Sequence, residues 1–213
     1  MMALKTRLRL YLVTDAVLCT TPDLVTTVRL AVANGVTMVQ LREKTATTAQ
    51  RVQMALALKE ALAGKGVPLV VNDDVAAAVA ADVDGAHIGQ GDMSIAQARA
   101  LLGPDKILGL SCETSQAVQA ADPALVDYLG LGPVFGTATK TDHAQPIGLD
   151  GLAQLVALSP LPNVAIGGLK ATHIGDVHKS GADGMAVVSA ICGQADPAAA
   201  TRAFKALITE EAL

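Results

Sequence analysis

"VPLVVNDDVAAAVAADVDGAHIGQ", residues 67–90, carries a complete folding unit. An apolar run, Leu69-Val70-Val71, stops at Asn72-Asp73-Asp74, and an alanine-rich stretch follows. A short polar turn then leads into a second apolar run ending near Gln90. Both runs are continuous rather than alternating, which suits strands buried on both faces in a parallel sheet. The unit therefore reads strand, helix, strand.

The second half of that unit recurs. "ANGVTMVQL" (33–41), "DVDGAHIGQ" (82–90), "LVDYLGLGP" (125–133) and "GADGMAVVS" (181–189) each read as helix exit, tight polar turn and short strand. Between them stand "LRLYLVT" (8–14), "VPLVVN" (67–72), "KILGLS" (106–111) and "NVAIGG" (163–168). Helical stretches separate the runs. "TTAQRVQMALALKEALAGKG" (47–66) has apolar residues at helical spacing and ends at Gly64 and Gly66, while "SIAQARALLGPD" (94–105) starts at a capping Ser94. "DPAAATRAFKALITEEAL" (196–213) closes the chain. Eight units in this length give roughly 27 residues each, a compact α/β (βα)₈ TIM barrel of one domain, 1–213. A doubly wound sheet is the alternative, but it carries a glycine-rich turn after its first strand, and "VTDAVLCT" has no glycine.

Composition narrows the function. A hydrophobic share of 51% marks a globular chain, and a net charge of −4 argues against nucleic acid as a partner. Cys19, Cys112 and Cys192 form no CxxC or Cys/His cluster, which suggests a reducing, cytoplasmic setting. The N-terminus lacks the apolar core of a signal peptide, and no run approaches the ~20 residues of a membrane helix. Small molecules are the expected partners, with a homo-oligomer left open.

In a barrel, chemistry gathers where strands end and helices begin. The polar residues at those ends are Gln40 to Lys44, Asn72 to Asp74, Gln90 and Asp92, Ser111, the segment "GPVFGTATKTD" (132–142), Gly167-Gly168 and Ser189. Gly167-Gly168-Leu169 and "VVSAI" (187–191) suit a phosphate held by backbone N–H groups and a short helix N-terminus. Asp74 directly precedes "VAAAVAA" and reads as its helix cap, as Ser94 does for the next helix. That frees Asp73 and Asp92, on neighbouring strands, to share a hard cation such as Mg²⁺. Strand alternation puts Gln40, Arg42 and Lys44 on one side, where two cations call for an anion. The ring thus suggests a phosphorylated substrate together with a diphosphate that needs Mg²⁺.

These residues also resemble a known pattern. "LYLVTD", "VQLREK", "VVNDDVAAAVAADVDGAHIGQGDM", "GLSCETSQAV", "YLGLGPVFGTATK" and "VAIGGL…SGADGMAVVSAI" together resemble the thiamine phosphate synthase (thiamine-phosphate pyrophosphorylase) family over nearly the whole chain. The resemblance implies a transferase of thiamine biosynthesis. It would join a hydroxymethylpyrimidine diphosphate to a thiazole phosphate and release diphosphate. It implies that Gln40, Leu41, Arg42, Glu43, Lys44 and Asn72 hold the pyrimidine diphosphate, with Ser111 and Lys140 on its diphosphate side. Thr137, Ala138, Thr139, Gly168, Val188 and Ser189 would hold the thiazole phosphate, and Asp73 and Asp92 the Mg²⁺. Arg42, Lys44 and Lys140 would carry the catalytic charge. The chain departs from the pattern at Asp74, where Arg is common, at Gly91, where an acid is common, and before Thr137, where Pro is common.

With no Trp and few aromatic residues, stacked rings are not the expected means of stabilising a cationic pyrimidine methylene. No protein nucleophile is needed either, so Cys112 reads as a packing residue and His87 as a hydrogen-bonded core residue. Two alternatives stay open at this point. A related barrel, the thiazole tautomerase, would not need both the paired acids and "TATK". A non-enzymatic binder of thiamine precursors would release no diphosphate.

Overall fold

The computed structural model describes residues 2–137 and 145–211. Its strands are β1 (Leu10–Val13), β2 (Met38–Leu41), β3 (Leu69–Asn72), β4 (Gly85–Ile88), β5 (Ile107–Cys112), β6 (Tyr128–Leu131), β7 (Asn163–Ile166) and β8 (Met185–Val187). They run parallel in sequence order and close by pairing β8 with β1. The helices are α1 (Met2–Leu8), α2 (Leu24–Asn34), α3 (Thr48–Leu62), α4 (Val75–Ala80), α5 (Ile95–Leu102), α6 (Ser115–Ala120), α7 (Gly148–Leu158), α8 (Ile174–Lys179) and α9 (Pro197–Glu211). The barrel expected from the eight apolar runs is the observed one.

The strands lack polar alternation because both of their faces are buried. Outward residues such as Leu12, Val39, Val71, Ile88 and Leu129 pack with the helices. Inward residues, among them Tyr11, Met38, Val70, Tyr128 and Val164, fill a separate interior cluster. Burying each large apolar side chain contributes about 1.5–3 kcal/mol. Helix α1 was not among the elements expected from the sequence, and it takes in Leu8, the first residue of the 8–14 apolar run. Its Leu8 is fully buried in the interior cluster and helps close the bottom of the barrel.

The recurring phrase has a physical cause. In each copy, a polar side chain just before an even-numbered strand bonds an N–H in the first two residues of the preceding odd-numbered strand. Asp84 accepts from Leu69 N at 2.8 Å, Asp127 from Leu108 N at 2.8 Å and Asp183 from Asn163 N at 3.0 Å. Thr37 Oγ1 does the same for Leu10 N at 3.0 Å. Each odd strand thereby satisfies a backbone donor at its buried entry. Gly85 and Gly184 follow two of these acids because a Cβ there would strike the Ile107 or Leu8 carbonyl oxygen at 1.9 or 2.0 Å.

The helix caps match the sequence. Thr47 and Gln50 form a capping box at α3, and Ser94 caps α5 through Gln97 N. Asp74 caps α4, accepting from Ala77 N at 2.9 Å. Among the described residues, no helix is long and apolar enough to cross a membrane.

Candidate active site

The C-terminal ends of the strands surround a cavity of about 510 Å³. Alternation along the second strand works as expected: Gln40, Arg42 and Lys44 line the cavity. Leu41 does not, because its side chain is fully buried against the helix layer. Glu43 does not line it either, and its Oε1 instead accepts from Thr45 N and Oγ1, both at 3.0 Å. Arg42 Nη1 lies 3.8 Å from Asp15 Oδ2, which steadies the guanidinium without covering it from the cavity.

Asp73 and Asp74, adjacent in sequence, do different work. Asp74 turns away from the cavity to its cap and to Arg51, whose Nη1 is 3.1 Å from Asp74 Oδ2. The same Arg51 donates Nε to the Glu43 carbonyl at 2.8 Å and Nη2 to the Lys44 carbonyl at 3.4 Å. One guanidinium therefore ties the loop carrying Arg42 and Lys44 to the loop carrying Asp73. Burial alone would raise the Asp74 carboxyl. Hydrogen bonds from Ala77, Thr48 and Arg51 outweigh it and hold Asp74 below the usual carboxylate range.

Asp73 has φ 62°, in the left-handed region that non-glycine residues rarely occupy. Asp tolerates this conformation better than most, and such local strain concentrates at functional sites. The conformation leaves the side chain lining the cavity with Asp92. Desolvation by the surrounding walls, then the facing Asp92 carboxyl, push Asp73 up to about 6, although it opens to the solvent of the cavity. Lys44 and Arg42 pull the other way. Asp92 is held in place by Gly89 N, which donates to its Oδ2 at 2.7 Å.

Across the cavity lie Thr137, Gly167, Gly168, Val188 and Ser189. Gly167 and Gly168 have φ of 104° and 62°, and a Cβ on either would clash with the 133–136 backbone. Close loop packing thus requires both glycines and leaves their backbone open to the cavity. Residues 188–193 form turns rather than the short helix expected there, with Cys192 N bonding Val188 O at 2.8 Å. Ala138, Thr139 and Lys140 lie outside the described residues.

The model of the family described as thiamine monophosphate synthase matches residues 10–191. The chain belongs to the thiamine monophosphate synthase family. As a member it is a transferase that forms thiamine phosphate. A thiamine-phosphate synthase of Psychrobacter sp. (strain PRwf-1) is 53% identical over 193 residues, covering 89% of this chain and 90% of the relative. The enzyme of the same name from Xanthobacter autotrophicus (strain ATCC BAA-1158 / Py2) is 51% identical, covering 94% and 95%. A solved thiamine phosphate pyrophosphorylase from Pyrococcus furiosus superposes with a TM-score of 0.88 at 34% identity, over 97% of this chain and 98% of that one.

In this synthase fold the floor of the cavity is the part that sequence reasoning missed. Tyr11 and His87 line it, and Tyr128 supports it from below. The tyrosines sit within apolar runs and read as ordinary core. His87 was expected to be a hydrogen-bonded core residue; it is 7% exposed and bonded as expected, but it also faces the cavity. The one available signal was a histidine in an otherwise apolar strand. Cys112 is fully buried outside the cavity lining, and burial pushes its thiol up to about 12, which suits a packing residue. Cys19 and Cys192, remote in sequence, hydrogen-bond to each other, and all three cysteines are free.

Proposed function

We propose that this cavity joins 4-amino-5-hydroxymethyl-2-methylpyrimidine diphosphate to 4-methyl-5-(2-phosphoethyl)thiazole, or its carboxylated form, releasing diphosphate in an Mg²⁺-dependent reaction. The observation that carries the reading is the polarity of one cavity. Arg42, Lys44 and the Asp73/Asp92 pair stand on one side, and the open backbone of Gly167-Gly168 with Ser189 stands on the other. Two anions of different kinds fit those two sides.

The acid pair suits a hard cation. Two facing carboxylates, one of them pushed up by burial and by its neighbour, are relieved by a positive charge between them. Mg²⁺ takes few carboxylates and completes its shell with water and phosphate oxygens. When bound, it supplies charge neutralisation for the diphosphate.

The remaining work falls to the protein. Arg42 and Lys44, with Lys140, hold the diphosphate and offset its charge as the C–O bond breaks and the bonding pair leaves with oxygen. The substrate's amino group delocalises the methylene cation. Gln40 and Asn72 orient the pyrimidine, and Ser111 faces its diphosphate side. Thr137, Thr139, Gly168, Val188 and Ser189 hold the thiazole phosphate so that the ring nitrogen attacks the methylene. Residues 1–213 act as one catalytic domain, and three free cysteines support a cytoplasmic setting.

Diphosphate release measured with each substrate alone and with both together tests the reading. Release only with both, and only with Mg²⁺ present, is the expected result. Tight binding of either substrate without release would make the chain a carrier.

A further inference from the structure

Five side chains cross the cavity floor in an unbroken hydrogen-bonded line. Gln40 Nε2 donates to Tyr11 Oη at 2.7 Å. Tyr11 Oη lies 2.8 Å from Tyr128 Oη, and Tyr128 Oη lies 2.9 Å from His87 Nδ1. His87 Nε2 then lies 2.9 Å from Ser111 Oγ. The line joins β2, β1, β6, β4 and β5, and its two ends, Gln40 and Ser111, both line the cavity.

The space for it is made deliberately narrow. A Cβ on Gly109 would stand 2.2 Å from the Tyr128 ring and 2.4 Å from His87 Nδ1. A Cβ on Gly130 would stand 3.2 Å from His87 Cε1. Glycines at both points let the imidazole and the phenol meet inside the barrel. Burial drives both tyrosine hydroxyls well above their ordinary range, so each stays neutral with one proton to give.

Proton counting gives the line a direction. Tyr11 accepts from Gln40, and among the described side chains Tyr128 Oη is the bonded neighbour left to take its proton. Tyr128 is fully buried, and His87 Nδ1 is the bonded neighbour left to take its proton. An imidazole that accepts at Nδ1 carries its proton at Nε2 and donates it to Ser111 Oγ. Ser111 then has its hydroxyl proton left for the cavity.

We propose that Tyr11, Tyr128 and His87 form a positioning relay that locks His87 in its Nε2–H tautomer and so commits Ser111 to donate a hydrogen bond toward the substrate. This rests on the function proposed above, in which an anion stands beside Ser111. The opposite direction would leave Ser111 donating to His87 and presenting only lone pairs to that anion, which would repel it.

The test begins without substrate. Long-range ¹H–¹⁵N correlation spectra of the ¹⁵N-histidine protein distinguish the two tautomers, and loss of one ring signal in His87→Gln assigns it. A protonated Nε2 with a bare Nδ1 is expected. A protonated Nδ1, or an averaged ring, overturns the proposal. Tyr128→Phe keeps the ring volume and removes the link. It should average the His87 signals and lower kcat with pyrimidine diphosphate by about tenfold, the size of one hydrogen bond to a charged group. The KM for thiazole phosphate should stay within about twofold, because no hydrogen bond on that side of the cavity changes. His87→Gln, which keeps a donor near Ser111, should retain more activity than His87→Leu. Unchanged tautomer and kcat in Tyr128→Phe would leave these residues as packing alone. If Tyr128→Phe does not fold, Tyr11→Phe removes the preceding link and is read the same way. A wild-type protein that releases no diphosphate refutes the proposed function but leaves the tautomer measurement standing.

Discussion

Asp73 and Asp74 show how one covalent bond separates a functional acid from a structural one. Asp74 has spent both of its oxygens, on Ala77 N and on Arg51. Asp73 sits in a left-handed conformation with its carboxyl against Asp92. Asn is the appropriate replacement at 73 because it also tolerates positive φ. Asp73→Asn should sharply reduce turnover and Mg²⁺ dependence while leaving the metal-free melting temperature unchanged or higher, since it removes one of two facing charges. Asp74→Ala should instead cost about 1 kcal/mol or somewhat more, as expected for a lost cap, and keep Mg²⁺ dependence. Thermal melts and Mg²⁺ titrations on both variants check the assignment, and reversed results would exchange the two roles. At the opposite side, Ser189→Asp puts a negative charge beside the proposed thiazole phosphate. Its affinity for that ligand should fall in calorimetry while pyrimidine diphosphate binding holds; an equal loss of both would merge the two sites.

At the scale of elements, the barrel has a stability end and a chemical end. Asp127 belongs to the first. It bonds Leu108 N at 2.8 Å and Arg99 Nη2 at 2.7 Å at the entry to the strands. Asp127→Ala strands a buried donor, so it should cost about 1–3 kcal/mol. Its kcat at room temperature should be nearly that of the wild type, measured beside a lowered melting temperature. The loop after β6 belongs to the chemical end. Within it the Phe135 ring centroid lies 4.6 Å from that of His173. Lys140 lies further along it. Lys140→Ala should lower the single-turnover rate by two to three decades, typical for loss of one electrostatic stabiliser, with a smaller effect on ground-state binding. Lys140→Arg should recover only part, because a planar fork does not replace a compact ammonium. An unchanged chemical step in Lys140→Ala would remove this lysine from the mechanism.

For the whole molecule, the core and the proposed metal site are independent. Two apolar layers hold the barrel, and the acid pair lies at its mouth. Chelation should therefore abolish diphosphate release, restored by added Mg²⁺, with little change in the metal-free melt. A large loss of stability on chelation would mean that the metal is structural. The barrel itself was legible because burial on both strand faces writes eight continuous apolar runs, and because each recurring turn needs a polar residue to close the preceding strand. The alternation that brings Gln40, Arg42 and Lys44 into the cavity, and the cap at Asp74, are local consequences of strand and helix geometry, so they too were present in the chain. Leu41 and Glu43 were named through the family motif, which takes in a whole segment, whereas alternation turns them away from Gln40, Arg42 and Lys44. Helix α1 was missed because no local pattern says whether a terminal segment folds back. The floor was decided only by tertiary structure. Tyr11, His87, Ser111 and Tyr128 come from four strands, and nothing local distinguishes a tyrosine in an apolar run that packs against leucine from one that meets a second phenol. Closure of the barrel brings these hydroxyls and one imidazole within 3 Å of their neighbours, and only that closure gives their protons a direction.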